Sequence, residues 1–168
     1  MLRRAFAVTL FLSIPTVGFA QARAAAPSVE GVWKITEMVI TGANPMTNRS
    51  PQPSLIIFAR GHYSYLSVNG TQPRAKYEAP KDPSKLTDAE KIARYEQWSP
   101  FTANAGTYEI TGTTLTLRPL VAKVVDVMTT NPRIVEEFKL EGNTLLLSSQ
   151  SMAGGPVMEM RVKLIRVQ

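Results

Sequence analysis

The strongest constraint on the fold is a period-two alternation of apolar and polar residues that runs through most of the chain after Gly31. Successive side chains of a strand point to opposite faces, so this alternation is typical of β-strands with one buried face. It recurs in runs separated by turn residues, at 31–39, 55–59, 62–68, 106–110, 113–128, 134–149 and 157–167. Sequential short strands predict an all-β, antiparallel, up-and-down barrel of about eight strands, because closure removes exposed sheet edges.

Two details of this pattern bear on side-chain direction. In the first run, Trp33, Ile35 and Val39 share one predicted face, with Glu37 among them. Glu136 and Glu137 are adjacent, so they face opposite sides of a strand and do not form a paired acid site.

One segment breaks the strand rhythm and predicts a helix. Thr87 followed by Glu90 is a capping box, and Asp88 adds negative charge near the positive helix end. Pro100 disfavours helical geometry at the residue before it. These signals predict one helix in the fold, at about 88–97.

The N-terminus has the three regions of a secretory signal peptide. Arg3 and Arg4 precede an apolar run from Ala5 to about Phe19, and small residues follow. This predicts a signal peptide over 1–26, with cleavage somewhere in 20–26, and a barrel domain over 27–168. The apolar run is shorter than the ~20 residues that a spanning helix needs, and no later run is long enough. We therefore expect a periplasmic or secreted protein without a transmembrane segment in the mature chain.

Composition excludes several kinds of site. The chain has no cysteine and a single histidine, so a Cys/His catalytic site or a multi-histidine metal site cannot form within one chain. No serine-hydrolase, zinc-protease, phosphate-loop or dinucleotide-binding motif occurs. We expect no cofactor and no metal. The basic residues are spread along the chain rather than clustered, so nucleic acid is not an expected partner.

Several segments, in this order, resemble a known family. The segments are Gly31 to Trp33, which match a GxW opening, then 53–66 around a glycine-histidine hairpin, 86–110 with the helix and "AGTYE", and 164–167, "LIRV". The chain thus resembles the bacterial lipocalin-like domain family, a calycin-type β-barrel, over 31–167. The resemblance implies that Gly31, Trp33 and Arg166 close the barrel, with Arg166 covering Trp33.

The chain also departs from the family pattern at two places. Leu117 and Arg118 stand where the family often has a histidine pair, and Leu164 and Ile165 stand where a tryptophan commonly precedes the last arginine. The roles of those family residues are therefore not carried over.

The candidate ligand contacts are one carboxylate and a set of aromatic side chains. Strand phase places Asp126 on the face of Val124 and Met128, where a lumen carboxylate would anchor a polar group; the alternative is that Asp126 meets solvent or pairs with Lys123. The aromatic candidates are Tyr63, Tyr65, Trp98, Phe101 and Tyr108. Their alternative role is to pack the core or to hold the helix against the wall.

The leading functional hypothesis is non-catalytic binding of a small hydrophobic ligand in the barrel lumen, since an eight-stranded barrel has room for one. One alternative is an isomerase or cyclase acting on a lipid-like substrate, with Asp126 or a tyrosine as acid or base. Another is a filled barrel with a role in envelope interactions. Fold alone does not decide among them.

Overall fold

A computed structural model describes residues 28–74, 76, 78–129, 133–151 and 157–167; the predicted signal peptide lies outside them. Nine strands form one antiparallel sheet. The strands are β1 (Gly31–Thr41), β2 (Met46–Asn48), β3 (Ser54–Ala59), β4 (His62–Val68), β5 (Phe101–Thr111), β6 (Thr114–Ala122), β7 (Ile134–Glu141), β8 (Thr144–Ser151) and β9 (Met158–Arg166). Each strand pairs with the next in sequence, except that β3 pairs with β1 instead of the short β2, and β1 also pairs with β9. Without β2, which extends the rim beside β1, eight strands close on themselves. The predicted all-β antiparallel barrel is confirmed.

The predicted helix is present as α1 (Asp88–Trp98), and its capping box is complete. The backbone N–H of Glu90 donates to Thr87 Oγ1, and the Thr87 N–H donates to Glu90 Oε2 at 2.8 Å. No described residue of α1 is buried. The helix lies at the surface, and local hydrogen bonds fix its first turn.

A second, short helix replaces the end of a predicted strand. The sequence pattern predicts a strand through residue 128, but β6 ends at Ala122 and α2 (Val125–Thr129) follows. A short apolar run of β-branched residues has the same composition in either structure, so periodicity did not separate them.

Strand β1 contains a bulge between Ile35 and Glu37. The extra residue shifts the side-chain phase by one position, so Met38 and Ile40 face the interior opposite Val162 and Met160. The predicted shared face of Trp33, Ile35, Glu37 and Val39 is therefore wrong beyond the bulge. Glu37 faces outward, 3.4 Å from Arg49 Nε, and no carboxylate is buried there.

One end of the barrel is closed by packed side chains. Three hairpin turns and the start of β1 meet at this end, and the largest fully buried side chains include Trp33, Ile56 and Leu164. The Trp33 indole N–H donates to the Val29 carbonyl oxygen at 2.8 Å. The Arg166 guanidinium carbon lies 4.2 Å from the Trp33 ring centroid, and the group donates to the Ser28 carbonyl at 3.0 Å and to the Glu30 carbonyl.

Gly31 enters β1 at this closed end with a φ of 136°. Residues with a Cβ rarely adopt that backbone conformation, whereas glycine does so readily. The backbone conformation at position 31 thus explains why this residue is glycine, independently of ligand binding.

The opposite end of the barrel carries every longer connection. Segment 69–100 with α1 joins β4 to β5, segment 123–133 with α2 joins β6 to β7, and segment 42–53 with β2 joins β1 to β3. We call this the open end, because its described connections are longer than the tight hairpin turns of the closed end.

Candidate functional site

The barrel interior changes from apolar to polar along its axis. Leu115, Leu145 and Leu164 are fully buried in the core cluster near the closed end. Toward the open end, β4 and β5 instead present polar side chains inward. These are Tyr65, Ser67, Thr102 and Asn104, placed in pairs by the β4–β5 register.

A carboxylate faces the interior from β7. Along this strand the exposed residues alternate with partly buried ones, and Glu136 shares the inward face of Ile134 and Phe138. Desolvation by the surrounding protein raises the pKa of Glu136 to about 7. Its side chain nevertheless keeps some accessible surface.

Two tyrosines of β4 lie close enough to Glu136 for its charge to affect their pKa values. Burial, with a smaller contribution from Glu136, raises the pKa of Tyr63 to about 12. Burial also raises the pKa of Tyr65, and the Glu136 charge adds to that rise. The Ser67 hydroxyl lies near Tyr65 and opposes the rise in its pKa, although the two groups do not meet the geometry of a regular hydrogen bond.

Three buried polar atoms of this region have no hydrogen-bond partner within the part of the chain that the structure describes. They are Tyr63 Oη, Ser67 Oγ and Asn104 Oδ1. All three belong to inward-facing residues of the neighbouring strands β4 and β5. Leaving such an atom unpaired costs about 1–3 kcal/mol, so a cluster of three calls for a partner other than the chain itself.

A cavity of about 230 Å³ lies at the open end. Interior residues of β1 and β4 form its base, namely Ile35, Met38, Ile40 and Ser67. Residues of β2 and the adjoining loops form its rim, namely Met46, Asn48, Pro51, Gln52, Val68, Asn69, Gly70 and Thr71. Ser67 belongs both to this cavity and to the unpaired polar set, so the mouth of the barrel leads to the polar region.

A larger cleft of about 970 Å³ lies outside the barrel, between α1 and segment 69–85. Its walls carry many charged side chains, among them Lys81, Asp82, Lys85 and Glu90. We place the candidate site in the lumen rather than here, because solvent can satisfy exposed charges and no buried unpaired acceptor of the described barrel strands faces this cleft.

The two aromatic candidates beside α1 form a cluster on the outer wall of the barrel. The Trp98 and Phe101 ring centroids are 5.4 Å apart, and Lys123 Nζ lies 5.7 Å from the Trp98 centroid. The Lys123 ammonium also donates to the carbonyl oxygens of Ser99 and Phe101, each at 2.8 Å. Trp98 is 56% exposed. Ligand contact by Trp98 or Phe101 stays a prediction, separate from the lumen set.

Tyr108 faces the interior near the closed end, where it packs edge-on against Phe58 with the ring centroids 5.2 Å apart. Burial raises its pKa, and the nearby Glu30 adds to the effect. Tyr63 and Tyr65 are thus both affected by the charge of Glu136, and Tyr63 and Tyr108 both lie against Phe58. A ligand contact by Tyr108 also stays a prediction.

The strand argument for Asp126 as a lumen carboxylate is wrong. Asp126 lies in the first turn of α2, and its side chain is exposed. Helical geometry removes the alternation that placed it beside Val124 and Met128 on an inward face. His62, in contrast, is an exposed turn residue with Nδ1 3.1 Å from the Arg60 carbonyl oxygen.

Sequence reasoning missed Glu136, Asn104 and Ser67 as site residues. The signal for Glu136 was present, since it interrupts an otherwise apolar face made by Ile134, Phe138 and Leu140. Asn104 gave a weaker signal, because it lies before the run "GTYEI" that predicts the strand, although it shares the alternation of Gly106 and Tyr108 along β5.

Comparisons with known proteins do not assign the chain to a family. No family model, curated protein or solved structure matches it. Within the described residues, no group of three or more acidic or histidine side chains could hold a metal ion, and no helix is long and apolar enough to cross a membrane. The fold itself is a closed, eight-stranded antiparallel β-barrel, which is consistent with a calycin-like fold.

Proposed function

We propose that the protein binds a small ligand with an apolar body and a polar head in the open half of its barrel, without catalysing a reaction on it. The observation that carries this proposal is the set of buried polar atoms left unpaired by the described residues, on Tyr63, Ser67 and Asn104, beside the desolvated Glu136 carboxyl. The resemblance of the sequence to the bacterial lipocalin-like family accords with this function.

A barrel core can form without these unpaired polar groups. Replacing unpaired buried polar atoms by apolar ones of similar shape is neutral or stabilising in many proteins, whereas keeping them costs stability. Polar groups on the inward faces of two neighbouring strands therefore point to a function that needs them. Binding supplies the missing hydrogen bonds and recovers that cost when the ligand is present.

The mouth cavity suggests how the ligand would lie. Its apolar base, formed by Ile35, Met38 and Ile40, suits a hydrocarbon body, while Ser67 marks the side toward the polar set. At about 30 Å³ for each water-sized group, 230 Å³ accommodates roughly eight non-hydrogen atoms. The proposed ligand is therefore small. The signal-peptide pattern of residues 1–26 supports a periplasmic or extracellular site of action.

The two alternatives from the sequence have less support. The enzyme hypothesis called for a lumen carboxylate hydrogen-bonded to a tyrosine, and no such bond joins Glu136 to a described tyrosine. The filled-barrel hypothesis fits the closed half, where the buried side chains leave no space around Trp33, but not the mouth.

Native mass spectrometry of the protein purified from its own host tests the proposal. We expect a co-purifying small molecule in the wild type. Ser67→Leu should lose it by filling the cavity, while Ser64→Leu, the same change on the outward face of the same strand, should keep it. Both variants are checked for folding by circular dichroism. Protein that is always empty, and that shows no thermal shift with small alcohols, amines or acids, would overturn the proposal.

A further inference from the structure

We infer that the head group of the ligand is an organic ammonium ion, so that the lumen ligand is a small protonated amine with an apolar body. This inference rests on the proposed function and specifies the ligand class for the same site. It comes from the inward-facing Glu136 carboxylate, from the unpaired polar atoms of β4 and β5, and from the two tyrosines whose pKa values Glu136 affects.

Among the described residues, the barrel interior has one charged side chain that no other residue pairs with. Among the described strand residues that face inward, only Glu136 and Arg166 are charged. Arg166 is held at the closed end by Trp33 and by two backbone carbonyls. No salt bridge reaches Glu136 from a described residue. Among the described residues, the lumen therefore holds a negative charge at Glu136 without a paired cation.

Glu136 and most of the unpaired polar atoms of β4 and β5 are acceptors. A carboxylate accepts only, and Asn104 Oδ1 is an amide oxygen without a donor among the described residues. The hydroxyls of Tyr63 and Ser67 can accept as well as donate. A ligand head that satisfies this set must supply several donors from one centre, as an ammonium group does with three N–H bonds.

The neighbouring rings favour the same head group. Tyr63 and Tyr65 interact with Glu136 from β4, and tyrosine faces attract a cation through their quadrupole. An anionic head would meet the carboxylate as a like charge in a desolvated place, which is strongly unfavourable. A neutral alcohol could bind but would leave the carboxylate without a counter-charge.

The titratable groups facing Glu136 are few. They are Tyr63 and Tyr65 on β4, and both titrate far above neutrality because burial raises their pKa values. On β6 the inward residues are Leu115 and Leu117, and on β8 the inward run carries leucines and Ser149. Between about pH 5 and pH 9, Glu136 is thus the group in this region whose charge changes.

The test compares three probes with the same chain and different heads: n-heptylamine, 1-heptanol and heptanoate. Isothermal titration calorimetry with the full chain measures each dissociation constant at about pH 8, where Glu136 is ionised and the amine is protonated. We expect the amine to bind at least about 10-fold more tightly than the alcohol, and the acid to bind most weakly. Lowering the pH to about 5.5 protonates Glu136, so amine affinity should fall roughly 30-fold.

Proton release gives a second readout at pH 7. A carboxyl with a pKa of about 7 is half protonated there, and an ammonium ion stabilises its charged form. Amine binding should therefore release about half a proton per ligand, measured from the enthalpy difference between two buffers of unequal ionisation enthalpy. Alcohol binding should release none.

Matched variants separate charge from position. Glu136→Gln keeps the shape and should abolish the amine advantage and the proton release while retaining alcohol binding. Glu137→Gln, the neighbouring outward residue, should behave as wild type. Equal affinity of amine and alcohol in the wild type would overturn the ammonium inference and leave the lumen function standing. No binding of any probe at either pH would count against both.

Discussion

At the scale of single residues, Arg166 shows how one side chain seals the barrel. Its guanidinium carbon lies over the Trp33 ring, 4.2 Å from the ring centroid, and the group also donates to the Ser28 and Glu30 carbonyls. Lysine can supply the charge but neither the planar stack nor the forked donors. The guanidinium therefore contributes through its shape as well as through its charge.

We predict that Arg166→Lys lowers the free energy of unfolding by about 0.5–2 kcal/mol, because the stack on Trp33 and one of the two carbonyl contacts are lost. Trp33→Ala should lower it by about 3–5 kcal/mol, since a fully buried indole leaves a cavity. Urea unfolding followed by circular dichroism measures both. Arg161→Lys, an outward position on the same strand, is the control and should change stability by less than about 0.5 kcal/mol. Equal losses for the two arginine variants would contradict the sealing role.

The residue scale also shows the limit of sequence reasoning. Alternation places Glu136 and Glu137 on opposite faces correctly. Alternation alone does not say which of the two faces is inside. The apolar residues on each face decide this, and Ile134, Phe138 and Leu140 all share the face of Glu136. Desolvation, and the absence of a cation nearby, depend on strands far apart in sequence, so they could not be read from the β7 segment alone.

At the scale of elements, the sequence predicts hairpins and capped helices well and phase shifts poorly. The β3–β4 turn at Arg60 and Gly61 and the capping box of α1 are local, so their residues carry the whole signal. The β1 bulge depends on how β9 pairs with it, which no local pattern records. Its effect is large, because it turns Glu37 outward and brings Met38 and Ile40 to the cavity.

Helix α1 lies at the surface of the protein, and none of its described residues is buried. We predict that Thr87→Ala speeds amide hydrogen exchange in residues 88–98 by roughly 3- to 30-fold, in line with the ~0.5–2 kcal/mol of an N-cap. The free energy of global unfolding should stay unchanged within about 0.5 kcal/mol. Hydrogen exchange followed by mass spectrometry measures the first quantity, and urea unfolding the second.

A matched control for this helix variant is Thr71→Ala, which removes a threonine side chain from the loop after β4 and lies outside the helix. It should leave exchange in α1 as in the wild type. A large drop in global stability with Thr87→Ala would mean that α1 is part of the cooperative barrel rather than an addition to it.

At the scale of the whole molecule, the two halves of the barrel serve different ends. The closed half holds the largest fully buried side chains, among them Trp33 and Ile56, and supplies stability through packing. The open half holds Ser67 and Asn104, whose polar atoms have no partner among the described residues, and Ser67 lines the mouth cavity. Strand count and closure follow from the alternation, whereas this division along the axis follows from register and bulges that only the folded chain displays.

The most direct test of the lone lumen carboxylate is the pKa of Glu136 in the ligand-free protein. Carbon-13 NMR of the glutamate side-chain carboxyls across pH, with Glu136→Gln to assign the resonance, gives this value. We predict a midpoint near pH 7, since desolvation raises the pKa, and a lower midpoint when n-heptylamine is added. A midpoint in the ordinary range, about 4.3, that n-heptylamine does not move would show a solvated carboxylate and contradict the proposed site.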